Sequence, residues 1–380
     1  MDFGYSEEQV MLRTSARDFL EKECTKEVVR NLLYQDAKGY SPEMWKKMAD
    51  LGWLGLVFPE EYDGIGSSFL DLSVLVEEMG RALLPGPFMS TVVWCGLPIL
   101  NYGTEEQKRE FLPKIASGDM ILALALYEAN GGIEAGDMAE VKASLTGDDY
   151  VINGRKLFVR DAHVTDYLLC VARTKDGVNK EEGITLFLVD AKSPGIATTV
   201  EATMTGEKQC EVVFTNVRVP KKNILRALDQ GWPIVKKIIL WGTAAECSHM
   251  VGGARWALED SVEYAKERIQ FGRPIGSFQA IQHHCANMVI DVESATSITM
   301  YAAWAVSEDH PEAALATSAA KAWCSDIYNK VTALGIQIHG GIGFTWDHDM
   351  HLYFKRAKAS EVAFGDGDYH REMVAKLLAI

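Results

Sequence analysis

No apolar run in this chain reaches the roughly 18–20 residues that a bilayer crossing requires, which excludes a membrane-spanning helix. The N-terminal stretch Met1-Asp2-Phe3-Gly4-Tyr5-Ser6-Glu7-Glu8 is acidic and has no apolar core of the kind a secretion signal carries. These two absences predict a cytoplasmic protein. Cysteine is sparse and scattered: Cys24, Cys95, Cys170, Cys210, Cys247, Cys285 and Cys324 include no two at metal-ligand spacing. Their odd count argues against a disulfide framework. Positive charge is also short, 38 Lys and Arg against 53 Asp and Glu, for a net charge of −15. That balance disfavours nucleic acid and anionic membranes as partners, while leaving room for a phosphorylated ligand held by local arginines. What is present is ordinary globular material, 380 residues with 48% hydrophobic and 24% charged. Such a length can bury two or three cores.

Periodicity divides the chain into three parts. From Ser6 to about Ser117 the pattern is helical, with Val10, Leu12, Ala16, Phe19 and Leu20 at helical spacing behind a Ser6-Glu7-Glu8 cap. Breaks fall at Gly39-Tyr40-Ser41-Pro42, at Pro59 to Gly66 and at Pro85-Gly86-Pro87. Thr104-Glu105-Glu106-Gln107 opens a further capped helix ending near Gly118-Asp119. The period then changes. Strands are expected at Ile121–Leu126, Tyr150–Ile152 (turning at Asn153-Gly154), Tyr167–Ala172, Ile184–Val189 and Cys210–Phe214, separated by Gly and Asp turns. From Gly231 onward long segments are free of proline except at Pro233, at their very start, and around Pro274 and Pro311, and helices near Val235–Lys266, Ala280–Glu308 and Pro311–Leu334 are long enough to form a bundle. The expected fold is mainly α with a central β domain. An N-terminal helical domain (1–119) leads into an antiparallel, barrel-like β domain (120–228), and a C-terminal four-helix bundle (229–380) closes the chain.

The most informative stretch runs from Tyr264 through Lys266-Glu267-Arg268-Ile269-Gln270-Phe271-Gly272-Arg273-Pro274-Ile275 to His283. It sets cations and an aromatic face at a helix end, then a Pro-anchored turn, then a helix N-terminus with free N–H groups. Such a corner can hold a phosphate and stack a flat ring. The string resembles the FAD-contacting hairpin of the acyl-CoA dehydrogenase family. Three others resemble that family in the same order: Leu51-Gly52-Trp53-Leu54-Gly55-Leu56 leading to Pro59-Glu60-Glu61-Tyr62, Tyr102-Gly103-Thr104-Glu105-Glu106-Gln107-Lys108 through Gly118-Asp119, and Gln337-Ile338-His339-Gly340-Gly341-Ile342-Gly343-Phe344. The similarity runs from about Phe3 to Ile380.

The resemblance implies FAD held across a subunit interface and α,β-dehydrogenation of an acyl-CoA thioester. A carboxylate would remove the Cα proton while hydride passes from Cβ to the flavin, and hydrogen bonds would stabilise the developing enolate. It assigns Arg268, Gln270 and Phe271 to the pyrophosphate and adenine side of a neighbour's flavin, and Gln279, Gln337, Gly340 and Gly341 to further FAD contacts. Electrons would pass to an electron-transferring flavoprotein, and the assembly would be a homotetramer or an α2β2 heterotetramer with a related subunit.

The chain departs from the family where the base should stand. Anchored on Gly365 and Arg371, the usual C-terminal Glu is here Phe364, and a second base position, on the first long bundle helix, is here Gly242. One helical turn beyond Gly242 stands Glu246, the only carboxylate between Asp229 and Glu259. Residues four apart share a helix face, and burial there would raise the carboxyl toward a working base. Glu246 is therefore the candidate base, with a buried ion pair to Arg160 or Arg255 as its structural alternative. Asp366 and Asp368 match positions that contact FAD in relatives. Around the flavin, the family's Thr-Glu-Pro stretch appears as Tyr127-Glu128-Ala129, and its aromatic-Ile-Thr stretch as Phe158-Val159-Arg160. Tyr127 can replace the threonine hydroxyl. Arg160 would favour a reduced, anionic flavin or pair with a substrate carboxylate. Either residue would equally plug a degenerate cofactor site.

His339, Asp347, His348, Asp349 and His351 form a polar cluster after the glycine run. They lack a rigid i, i+4 histidine pair, so no metal is expected. The departures at Tyr127, Arg160 and Phe364 point toward a cyclic, branched or dicarboxylic acyl group. Two other readings stay open: a non-catalytic or half-site subunit of a heterotetramer, and an acyl-CoA enzyme of this fold doing non-oxidative elimination.

Overall fold

The computed structural model describes residues 4–177 and 179–380. The chain clusters into two compact units. One comprises Met1–Val29, Ser68–Leu84 and Thr243–Ile380, the other Arg30–Ser67 and Pro85–Gly242. No helix among the described residues is long and apolar enough to cross a membrane.

In the sheet-bearing unit, α3 (Pro42–Asp50), α5 (Leu97–Tyr102) and α6 (Glu105–Ala116) accompany a seven-stranded sheet, and α2 (Lys26–Tyr34) enters it from the other unit. The strands are β1 (Leu122–Ala125), β2 (Lys142–Thr146), β3 (Asp149–Arg160), β4 (Tyr167–Arg173), β5 (Ile184–Asp190), β6 (Ile196–Glu201) and β7 (Gln209–Pro220). Their order is β1-β4-β2-β3-β7-β6, with β5 beside β4. Most pairs are antiparallel, as expected, but β4 runs parallel to both β1 and β2. Parallel neighbours need a long crossover, and between β1 and β4 it is filled by β2 and β3. The inner face is closed by Val141, Ile152, Phe187, Val212, Phe214 and Val217, all buried.

One sequence expectation is corrected here, and two strands are added to those expected. Tyr150–Ile152 does not turn at Gly154; β3 continues to Arg160. Gly154, at φ 129°, instead sits at a register irregularity against β7. Strands β2 and β6 carried no alternating signal because they are largely exposed. Beyond the break at Pro85–Pro87, Met89–Gly96 forms a buried π-helix. Such segments are uncommon and leave little trace in sequence.

The helical unit holds α1 (Glu7–Glu23), α4 (Phe69–Ala82), most of α7 (Trp232–Glu267), α8 (Gln279–Ser307), α9 (Ala313–His339), α10 (Met350–Val362) and α11 (Gly367–Leu378). Ser6 caps α1 in a reciprocal capping box with Gln9. Arg13 and Arg17, one turn apart on α1, converge on buried Glu77 and Glu78 of α4 at 2.7–3.0 Å. Two glycines set the α4–α7 spacing. A Cβ on Gly80 would lie 2.0 Å from the His249 carbonyl oxygen, and one on Gly252 would lie 1.8 Å from that of Glu77. The bundle is therefore closed by backbone contact as well as by side chains.

Candidate functional site

The candidate residues fall into two groups, one in each unit. In the helical unit, α7 ends at Glu267 and the chain reverses through β8 (Ile269–Gln270) and β9 (Arg273–Pro274). The turn residues Phe271 and Gly272 have φ of 53° and 79°, the positive pair a tight two-residue hairpin demands. Glycine adopts that geometry freely, but for a phenylalanine it is unfavourable. Phe271 is nevertheless 91% exposed, so the hairpin holds an aromatic ring out to solvent. Arg268 is exposed beside it, and among the described residues its guanidinium has no hydrogen-bond or ion-pair partner. Gln270 on β8 and Gln279 at the start of α8 are exposed as well.

Helix α9 delivers the glycine segment. Gln337 is exposed on its last turn, His339 is its final residue, and Gly340 leaves it at φ 67°. A Cβ placed on Gly340 or Gly341 would meet nothing within 4 Å. These glycines answer to backbone shape and to an open face on which a phosphate or another chain can rest.

His339 belongs to the helix rather than to the loop expected for it. Its Nδ1–H donates to the Gly335 carbonyl (2.7 Å), and its Nε2 lies 3.2 Å from an oxygen of Asp260 on α7. His348 Nε2 lies 3.7 Å from that same oxygen. The three ligand atoms fall within 4.8 Å of one another, a grouping that requires Asp260, which sequence reading missed because it is distant along the chain. His348 Nδ1 accepts the Met350 N–H at 3.1 Å. The cluster ties the end of α7, and with it the Arg268 hairpin, to the Gly340 turn. Asp349 precedes α10 as its N-cap residue, and the His351 ring packs edge-on against Trp346 at 4.8 Å.

The region of the missing base is also assembled in this unit. Phe364 is 2% exposed and its backbone is left-handed, φ 55°. Its carbonyl accepts from His370 Nε2 at 2.9 Å. Burial pushes the His370 pKa down to about 4, so the ring is neutral near pH 7. Lys321, wholly buried, donates to the carbonyls of Glu361 and Gly365, both at 2.8 Å, and so caps the end of α10. Burial pulls its pKa down, and the proximity of Cys247 and Glu246 opposes the shift.

Glu246, 1% exposed, accepts a 2.5 Å hydrogen bond from Ser360. Ser360 stands four residues before Phe364, so the helix carrying Gly242 and the segment carrying Phe364 meet at Glu246. Arg255, considered above as its partner, turns to Glu293 (2.8 Å) and Glu77 (3.5 Å). Asp366 caps α11 by accepting the Tyr369 N–H (2.8 Å), and exposed Asp368 pairs with Arg371 (3.0 Å).

In the sheet unit, Tyr127 and Phe158 face each other edge to face with ring centroids 6.5 Å apart. A register shift in β3 between Lys156 and Val159 turns Phe158 outward at φ 54°, and the Leu157 N–H donates to the Tyr127 carbonyl. Arg160 lies over the Trp94 ring, 5.2 Å from its centroid. Behind this surface is an ion pair that sequence reading did not single out. Lys156, fully buried, donates to Glu128 Oε1 (2.7 Å) and to the Leu126 carbonyl (2.9 Å). Glu128 also accepts the backbone N–H groups of Ala139, Glu140 and Val141. Burial alone would raise its carboxyl, but Lys156 and these donors outweigh it and hold the pKa below the usual range. A signal was available: Lys156 has the strand parity of Ile152 and so points to the same inward face.

Comparison with known proteins covers the whole of this architecture. Residues 6–119 match the acyl-CoA dehydrogenase N-terminal domain, 123–217 the middle domain and 229–379 the C-terminal domain. A probable acyl-CoA dehydrogenase, YngJ, of Bacillus subtilis is 33% identical with all of both chains covered. The caffeyl-CoA reductase–Etf complex subunit CarC of Acetobacterium woodii is 31% identical over 98% of this chain and 99% of its own. Among solved structures, the ChsE4–ChsE5 complex from Mycobacterium tuberculosis superimposes with a TM-score of 0.90 at 28% identity, covering all of this chain and 99% of that one.

Proposed function

Because this chain belongs to the acyl-CoA dehydrogenase family, we propose that it dehydrogenates a bulky, cyclic, branched or dicarboxylic acyl-CoA and passes the electrons to an electron-transferring flavoprotein. Membership makes it an acyl-CoA dehydrogenase-type oxidoreductase with FAD as its cofactor. The residues present fit that group. Arg268, without a side-chain partner among the described residues, is a guanidinium suited to a pyrophosphate, Gly340 and Gly341 leave an open face for phosphate, and Tyr127 with Phe158 offers aromatic surface for a flat ring. When bound, FAD supplies the hydride acceptor. Glu246 takes the Cα proton as general base, oriented by the Ser360 hydroxyl, and Phe364 forms an apolar wall toward the acyl chain.

The observation that carries the reading is the protruding hairpin, whose Arg268 cation has no partner among the described residues and whose Phe271 ring, edge-on to Phe278 at 6.0 Å, is 91% exposed. They serve a neighbour's flavin, which makes the assembly a tetramer. Arg268→Ala should release flavin on desalting and shift the oligomer toward smaller species by light scattering. Full FAD retention in the variant would remove the assignment.

A second reading rests on the enclosure of Glu246 and the burial of Phe364 in the base position. On that reading the chain is one half of an α2β2 assembly and lends its hairpin to a catalytic partner. The relative named for an Etf complex supports the electron acceptor, and the two-name ChsE4–ChsE5 complex supports a heteromer. Purified alone, a complete enzyme is yellow and reduces an acceptor with acyl-CoA; a half-site subunit does so only with its partner. Selectivity follows from the Phe364 wall. Cyclic or branched acyl-CoA thioesters should turn over faster than butyryl-CoA and octanoyl-CoA in an acceptor-reduction panel, and the reverse ranking would count against that wall.

A further inference from the structure

Beside Glu246 the helical unit buries a second charge that the base chemistry above leaves unused. Lys321 stands on α9 with its side chain wholly enclosed. Its ammonium donates to the carbonyls of Glu361 and Gly365, each at 2.8 Å, and to the Ser325 hydroxyl at 3.3 Å. Glu361 directly follows Ser360, whose hydroxyl donates to the Glu246 carboxylate, and Gly365 directly follows Phe364. Helices α7 and α9 meet at the same level. Cys324, three residues beyond Lys321, is hydrogen-bonded to Cys247, which adjoins Glu246, and its Sγ lies 3.2 Å from Thr299 Oγ1 of α8. One ammonium thus grips both sides of the segment that brings Ser360 and Phe364 to Glu246.

A neutral donor would suffice to cap two carbonyls. A charge taken out of water is costly unless an opposite charge balances it, and the balance is strong where little water screens it. Glu246 is the enclosed carboxylate on the neighbouring helix. On the reading that Glu246 is the base, on which this rests, we propose that Lys321 is a positioning residue for the reaction. It fixes Ser360 against the Glu246 carboxylate and sets a balancing positive charge beside it. Being enclosed, Lys321 acts through Glu246 rather than on the substrate. A general base has to be ionised when the acyl-CoA arrives, and a cation nearby keeps it so to lower pH.

The titratable groups that face this ammonium are Glu246 and Cys247 on α7, Cys324 on α9, Asp366 ahead of α11 and His370 on it. The Glu361 carboxylate turns instead to Asn329 and Lys358. His370, with its pKa near about 4, stays neutral through the range in which the test is read.

Lys321→Gln keeps a donor for the carbonyls and removes the charge. Flavin reduction by the fastest thioester of the panel above is followed by stopped flow across pH, on holoprotein of matched FAD content. The acid limb of the rate should move up by at least about one pH unit in Lys321→Gln, the smaller effect of removing a nearby opposite charge, and the rate below the limb should fall about 10-fold. Lys321→Arg, which keeps the charge, should hold the parental limb. The infrared difference between parent and Glu246→Gln reads the same carboxyl without turnover. It should show an ionised group at pH 7 in the parent and a matching upward shift of its titration in Lys321→Gln. An unmoved limb and titration in Lys321→Gln, or an equal shift in Lys321→Arg, would overturn the positioning role while Glu246→Gln remains slow. Should Lys321→Gln not fold, the parent decides, since a protonated Glu246 at pH 7 overturns the role as well. Flavin reduction by Glu246→Gln at the parental rate would instead overturn the base reading, and the role of Lys321 with it.

Discussion

Lys156→Met should destabilise the fold by about 3–5 kcal/mol, the loss expected when one partner of a buried ion pair is removed. The Glu128 carboxylate would keep its three backbone donors but lose the Lys156 ammonium hydrogen-bonded to it at 2.7 Å. Urea unfolding followed by tryptophan fluorescence reads the loss, and a change under about 1 kcal/mol would mean that water or relaxation replaces the pair. Adding Glu128→Gln to the variant should recover part of the loss, since no uncompensated charge is then buried.

The acid limb gives a second reading of the same pair. Glu128's pKa is lowered in the folded state, so its contribution is fully present above the unfolded carboxyl value near ~4 and disappears as pH falls through the lower folded value. The variant should lack that limb. Flavin content should fall as well, because the pair joins Leu126 and Glu128, which flank Tyr127, to the strand that carries Phe158.

Glu246→Gln should retain FAD and bind acyl-CoA, yet slow flavin reduction by at least about 10²-fold, the lower range for loss of a general base. Stopped-flow bleaching of the bound flavin measures it on protein whose FAD content matches the parent. Flavin loss in the variant would instead assign Glu246 a structural part with Ser360 and Lys321. Flavin reduction that appears only after a related subunit is added would favour the heteromeric reading. Bleaching at the parental rate would place the base elsewhere. Asp366 and Asp368 would then be changed next, although one caps α11 and the other is exposed in an ion pair with Arg371.

How much was legible in advance differs from element to element. The Ser6 and Thr104 caps were visible because a capping box is written in four consecutive residues. The long helices of the bundle were visible because proline is missing from their interiors. Strands β4 and β5 were visible as apolar runs because nearly every residue in them is buried. Strand β6 was invisible for the opposite reason, since an exposed edge strand needs no alternation. The parallel β1–β4 pairing joins segments more than forty residues apart and leaves no local mark.

By itself the sequence determined the fold class and family, the hairpin with its Arg268 cation and Phe271 ring, and the absence of a carboxylate at positions 364 and 242. Each depends on residue identity at fixed local spacing. Tertiary structure alone decided what the polar groups do. Glu246 meets Ser360 across 114 positions of chain, Asp260 meets His339, and Lys156 closes on Glu128. The physical reason is common to all three. What a charged or polar side chain does follows from the donors and dielectric around it, and in this chain those surroundings come from segments far apart in sequence.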